Sequence, residues 1–224
     1  MQRSKAGHAV SNLLLLLLIA GLYIGTAQPQ AISVSAPIYR GSAQDAVALQ
    51  FAVSWNAAAL PAILDTLQAQ GAQATFAVSG GWAAGNPELA RRIAAEGHEL
   101  ATMGYAPEED GRLSWVEKDL EASVTAIEQA AGVKPNLYYS GTRSATVSAR
   151  AAKKLGLTQV LCTVDLMCAR GSAADIINRV SDTPIPGSIM LLQPTQAAAE
   201  ALEGVLGALR QKGIEPTTTG RVLG

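Results

Sequence analysis

Apolar residues along this chain switch repeatedly between two periods, and the switching predicts strands alternating with helices. Val47 to Val53 (VALQFAV) is a short, nearly unbroken apolar run of strand length. Pro61 to Gln70 follows, with Ile63, Leu64 and Leu67 at helical spacing, and Gly71 ends the helix. Ala74 to Val78 reads as a strand. Asn86-Pro87 then offers an N-cap and a first-turn proline for a helix that buries Leu89 and Ile93 and stops at Gly97. A third strand ends near Leu100. Ser114-Trp115-Val116-Glu117 has the form of a capping box, and Val116, Leu120, Val124 and Ile127 make one apolar stripe along the long helix it opens, up to Gly132.

The same alternation continues to the end of the chain. Strands are predicted at Leu137 to Ser140, Val160 to Val164 and Ser188 to Leu192, with a last short one from Ile214. Helices are predicted near Val147 to Leu155, near Ala173 to Val180, and from Ala197 to Lys212 with Leu202, Val205, Leu206 and Leu209 on one side. Seven strands alternating with six helices imply parallel strands joined by right-handed crossovers, either as an open doubly wound sheet or as a closed barrel. Both architectures collect ligand sites at the carboxyl ends of the strands.

The N-terminus departs from this pattern. Arg3 and Lys5 precede an apolar run from Leu13 to about Ala27 that has no polar face. A basic terminus ahead of such a run is the arrangement of an export signal, and Gly25-Thr26-Ala27 places small residues where a signal peptidase would cut. The expectation is a signal peptide or membrane anchor over 1–27, a linker over 28–42 and one domain over 43–224, lying outside the cytoplasm.

Composition narrows the partners. Charged residues are 16% of the 224 and the net charge is -1, so the basic footprint of a nucleic-acid binder is absent. A hydrophobic fraction of 49% can supply a core. The two cysteines, Cys162 and Cys168, match no metal-binding spacing and are expected to be free buried thiols, although an exported chain could oxidise them.

Several segments resemble one family. Ala74-Thr75-Phe76-Ala77-Val78-Ser79-Gly80-Gly81-Trp82, then Asn86-Pro87-Glu88-Leu89 and Glu96-Gly97-His98-Glu99-Leu100, are similar in order and spacing to the signature of polysaccharide deacetylases with the NodB homology domain. Pro37 to Gly41, the VALQFAVSWN segment and Gly187 to Leu192 extend the likeness, with the sporulation-associated branch the nearest in appearance. The resemblance covers roughly Pro37 to the C-terminus. It implies a distorted (β/α) barrel of about seven parallel strands, a divalent metal held by Asp and two His, an Asp general base and a His general acid.

The matching positions hold none of those side chains. Ala52 and Val53 stand where the Asp residues would be, Met103 and Pro107 where the two metal-binding histidines would be, and Gln193 where the acid histidine would be. The family's arginine falls at Tyr138 or Tyr139, and Asp165 is the one acidic residue that matches the later acidic segment. No catalytic residue, metal or other cofactor is therefore expected. His98, the histidine of the Glu-Gly-His segment, reads as structural. Trp55, Tyr105, Tyr138, Tyr139, Asp165 and Gln193 are candidates for a ligand groove in the degenerate site, although ordinary packing at a barrel mouth is the simpler reading of Trp55, Trp82 and the tyrosines. The expected function is binding or scaffolding at the cell envelope, in sporulation by the same resemblance. Cell-wall polysaccharide or an envelope protein is the expected partner, with the membrane reached through the N-terminal segment. The rival reading is a weak or non-standard deacetylase of peptidoglycan or another N-acetylated polysaccharide.

Overall fold

The computed structural model describes residues 15–16, 36–55, 57–107, 111–182 and 185–224. The chain divides into two units, Met1–Ser33 and Val34–Gly224, and the second is described here. The apolar Leu13 to Ala27 run lies outside the described residues except for Leu15 and Leu16. Among the described residues no helix is long and apolar enough to cross a membrane.

The second unit is built on one parallel sheet. Its strands are β1 (Ala46–Val53), β2 (Thr75–Val78), β3 (Glu99–Thr102), β4 (Leu137–Tyr139), β5 (Thr158–Val160), β6 (Val164–Asp165), β7 (Ile189–Leu192) and β8 (Glu215–Thr217). They run β5-β4-β3-β2-β1-β7-β6, with β8 beside the first half of β1. The helices between them are α1 (Leu60–Ala69), α2 (Gly80–Gly85), α3 (Pro87–Ala95), α4 (Leu113–Ala131), α5 (Ala145–Lys154), α6 (Ala173–Asp182), α7 (Gln196–Gln211) and α8 (Thr219–Leu223). This is the expected distorted (β/α) barrel, with β8 the last short strand anticipated from Ile214, β6 a short additional strand and α2 and α8 additional helices.

Strand parity sorts the side chains into layers. Odd positions of β1 (Val47, Leu49, Phe51 and Val53) join Phe76, Leu100 and the apolar faces of α1 and α7 in the outer core. Phe51 stacks on Phe76 with ring centroids 5.1 Å apart. Even positions meet inside the barrel, where small Ala46, Ala48, Ala77 and Ala101 pack with Leu137, Tyr139, Val160 and Ile189. Burial on both faces is why β1 reads as a continuous apolar run rather than an alternating one. The end of the barrel away from the strand carboxyl termini is closed by α8. Gly220 N donates to Glu99 Oε2 at 2.9 Å, Thr219 N donates to Thr75 Oγ1, and Val222 enters the interior cluster.

Four local expectations need correction. Val160 to Val164 is not one strand: β5 pairs with β4 and β6 with β7, so Leu161 to Thr163 step across the gap between the two sheet edges. The stretch read as linker joins the barrel from Ile38, which forms a parallel bridge to Val160, donates from its N–H to Gln159 O and accepts from Leu161 N. The capping box does not form, because α4 starts at Leu113 with Arg112 as an N-cap that makes no side-chain bond. Asn86 stands at the N-cap of α3 with Pro87 in its first turn, as expected, but its side chain makes no cap bond; its Nδ2 donates instead to Trp82 O, closing the end of α2.

Candidate functional site

Because every strand pair in the sheet is parallel, the residues that follow β1, β2, β3, β4, β6 and β7 emerge at one end of the barrel. Ala52, Met103, Pro107, Tyr139, Asp165 and Gln193 all lie at that end.

A cleft of about 460 Å³ opens there between the loops after β1, β6 and β7. Ala52, Ser54, Trp55, Ala169, Gln193 and Thr195 line it, and no described lining residue carries a charge. Trp55 sits at the rim with 81% of its surface exposed. Gln193 Oε1 is buried beneath the cleft surface with no hydrogen-bond partner, a polar atom left unsatisfied. Thr195 Oγ1 is committed to the protein, donating to Cys168 O and accepting from Ala198 N at the start of α7. An apolar, uncharged cleft with an exposed indole and few polar groups suits the flat face of a neutral ligand.

The other sequence candidates have different surroundings. Tyr105 is 43% exposed on the far side of the mouth, and its ring lies against Gly80, where a Cβ would stand 2.7 Å from Tyr105 Cδ2. Tyr138 is fully buried in the outer layer with Val116 and Leu120, and its hydroxyl meets Ser148 Oγ at 3.2 Å, so it cannot line a groove. Tyr139 is the neighbour that points inside, packed with Leu137 and Val160. Burial, with Cys162 and Asp165 adding, pushes the Tyr139 phenol above its ordinary pKa, so the hydroxyl stays protonated. Asp165 is exposed, and its Oδ1 accepts from Met167 N at 2.8 Å, which steadies the positive φ of Met167. Trp82 is buried in the outer core. Cys162 and Cys168 are free, and burial raises both thiols.

The donor set does not fit the divalent metal that the resemblance implied. Ala52 has no donor atom, Pro107 none on its side chain, Met103 a thioether and Gln193 a neutral amide. Among the described residues no group of three His, Cys, Asp or Glu side chains is placed to hold a metal ion. His98 is remote in role as well as in chemistry. Its Nδ1 accepts from Ala74 N at 3.4 Å, its ring sits edge-on to Phe76, and burial lowers its pKa.

The sequence reading missed one ion pair at the mouth. Arg143 Nη1 donates to Asp119 Oδ2 at 2.9 Å, with side-chain exposures of 3% and 5%. Burial opposes the Arg143 cation most strongly, but hydrogen bonds to Tyr138 and Asp119 outweigh it and hold the pKa above the ordinary value. Its guanidinium also lies over the Trp115 ring, 5.3 Å from the centroid. The available signal was an acid at 119 beside Leu120 in the apolar stripe of α4, a place where an unpaired carboxylate would be costly.

Comparison with known proteins agrees with this geometry. Residues 40–160 match the family model described as polysaccharide deacetylase. The uncharacterized protein YlxY of Bacillus subtilis is 32% identical over 184 residues, covering 79% of this chain; the chain spans 57% of the length of that relative. BA3943 of Bacillus anthracis, described as a CE4 family pseudoenzyme, superimposes with a TM-score of 0.80 at 27% identity, over 84% of this chain and 69% of that one. A mutant of BA3943 described as having restored enzymatic activity gives the same TM-score at 26% identity, over 84% and 71% of the two chains. The fold is shared with the Bc1960 peptidoglycan N-acetylglucosamine deacetylase, with a TM-score of 0.76 and 23% identity over 87% and 96% of the two chains.

Proposed function

We propose that this chain, which belongs to the polysaccharide deacetylase family, is a non-catalytic member that binds cell-wall polysaccharide at the mouth of its barrel. The observation that carries the proposal is the side-chain set at the strand ends: Ala52, Met103, Pro107 and Gln193 offer no general base, no general acid and no metal site. Amide hydrolysis needs water activation, carbonyl polarisation and protonation of the leaving amine, and none of these four side chains can perform any of them. Binding requires less. The uncharged cleft and the exposed Trp55 face suit a pyranose ring bearing a neutral acetamido group. Likeness to BA3943, itself described as a pseudoenzyme, supports the same reading.

The proposal puts this binding outside the cytoplasm, at the cell envelope, with the N-terminal segment as address or anchor; the basic residues ahead of the Leu13 to Ala27 run support it. A role in sporulation is part of the proposal and rests on the sequence resemblance alone. Titration of the full chain with N-acetylglucosamine oligomers, followed by tryptophan fluorescence and calorimetry, tests the binding. Saturable binding is expected, and Trp55→Ala should weaken it by about 1–3 kcal/mol by analogy with other ring-stacking contacts, without changing the unfolding midpoint. No binding to soluble oligomers or to intact peptidoglycan would remove the proposal.

A further inference from the structure

The loop 103–107 carries Met103 and Pro107, the two positions where the family resemblance implied metal-binding histidines, and protein groups hold it. Met103 N donates to Val78 O and Gly104 N to Thr102 Oγ1. The carbonyls of Gly104 and Tyr105 accept from Gly80 N and Gly81 N at the start of α2. Ala106 is gripped on both sides, its N–H donating to Asp119 Oδ1 at 2.8 Å and its carbonyl accepting from Arg143 Nη2 at 2.5 Å. The two oxygens of Asp119 are thereby divided between the loop and Arg143, and the two terminal nitrogens of Arg143 between Asp119 and the loop. Gly104, at φ +94, lets the backbone lie directly on the pair: a Cβ there would come within 2.5 Å of Arg143 Nη1 and closer still to Asp119 Oδ2.

We infer that the Asp119–Arg143 ion pair takes the place of a bound metal in fixing loop 103–107, so that the mouth of this barrel is ordered without one. The pair joins three elements: the loop after β3, the first half of α4 and the loop after β4. A planar guanidinium suits this position because it can face a carboxylate and a carbonyl at once from fixed directions. The inference goes beyond the binding proposal and does not depend on it, since the loop would be held in the same way whatever occupies the cleft.

The test is hydrogen exchange of the full chain, read by mass spectrometry over peptides containing residues 103–106. Addition of EDTA is expected to change neither the exchange of those amides nor the unfolding midpoint. Arg143→Gln should speed their exchange on the order of tenfold, the loss of one charge-assisted hydrogen bond, while the amides of β1 keep their protection. Arg143→Lys should recover part of the protection, because it keeps the charge and loses the fork; if the Gln variant does not fold, the Lys variant alone is compared with the natural chain and should show a smaller, still local, increase. Release of the loop by EDTA would overturn the inference. So would an Arg143 variant whose exchange is unchanged at 103–106, or raised equally throughout the barrel.

Discussion

Gly104→Ala is predicted to be among the most damaging single-methyl additions in the barrel. At φ +94 an L residue carries a conformational penalty of about 1–3 kcal/mol. The added Cβ must also displace Arg143 Nη1, 2.5 Å away, and the still nearer Asp119 Oδ2, and these atoms belong to side chains buried on all sides. Separating a buried ion pair costs roughly 3–5 kcal/mol. The sum, about 4–8 kcal/mol, is comparable with the entire stability of a typical domain, about 5–15 kcal/mol. Gly71→Ala is the matched control: its φ is +59, yet nothing lies within 4 Å of the new Cβ, so only a backbone penalty of about 1–2 kcal/mol applies. Urea unfolding of both variants, with the slope held constant, measures the difference. Equal costs at the two positions would refute the claim that the ion pair presses on the loop.

Two further outcomes are expected. His98 is buried and its folded pKa is lowered, chiefly by that burial, with nearby Arg92 acting in the same sense and Glu96 against it; the unfolded chain, at about 6.5, takes the proton first, so the stability that neutral His98 provides is complete above that value and is lost as pH falls below it. Thermal unfolding from pH 8 to 5 should show this decline, and His98→Gln should flatten it; an unchanged slope would assign the pH dependence to other groups. Zinc titrated calorimetrically into the metal-free chain should give no one-to-one complex at the strand ends, whereas a complex abolished by Met103→Ala or Gln193→Ala would show that the donor set there has been misjudged.

Most of the barrel was legible because its strands and helices declare themselves locally. The two-faced apolar run of β1 and the stripes of α4 and α7 depend only on neighbours a few residues away. What was misread depends on partners distant in the chain. Leu161 to Thr163 are as apolar and β-branched as a strand, and only the positions of Ile38 and β7 turn them into a crossing between edges. Ser114 failed as a cap because the helix began at Leu113, two residues earlier than a cap at Ser114 requires. The choice between Tyr138 and Tyr139 required strand parity, which became readable only when Leu137 and Tyr139 were seen to face the interior together. Asp119 carried a signal, an acid beside a buried stripe, but its partner is 24 residues away in an irregular loop.

The central claim is that the barrel persists while its chemistry is gone. Acetate released from N-acetylglucosamine oligomers and peptidoglycan should be quantified for two proteins side by side: the natural chain, and a variant in which Ala52→Asp, Val53→Asp, Met103→His, Pro107→His, Tyr139→Arg and Gln193→His are introduced together, because groups that act as a unit show little when restored singly. The account predicts no turnover above background by the natural chain, with or without added zinc, and metal-dependent turnover confined to the restored variant. Metal-dependent acetate release by the natural chain would contradict it.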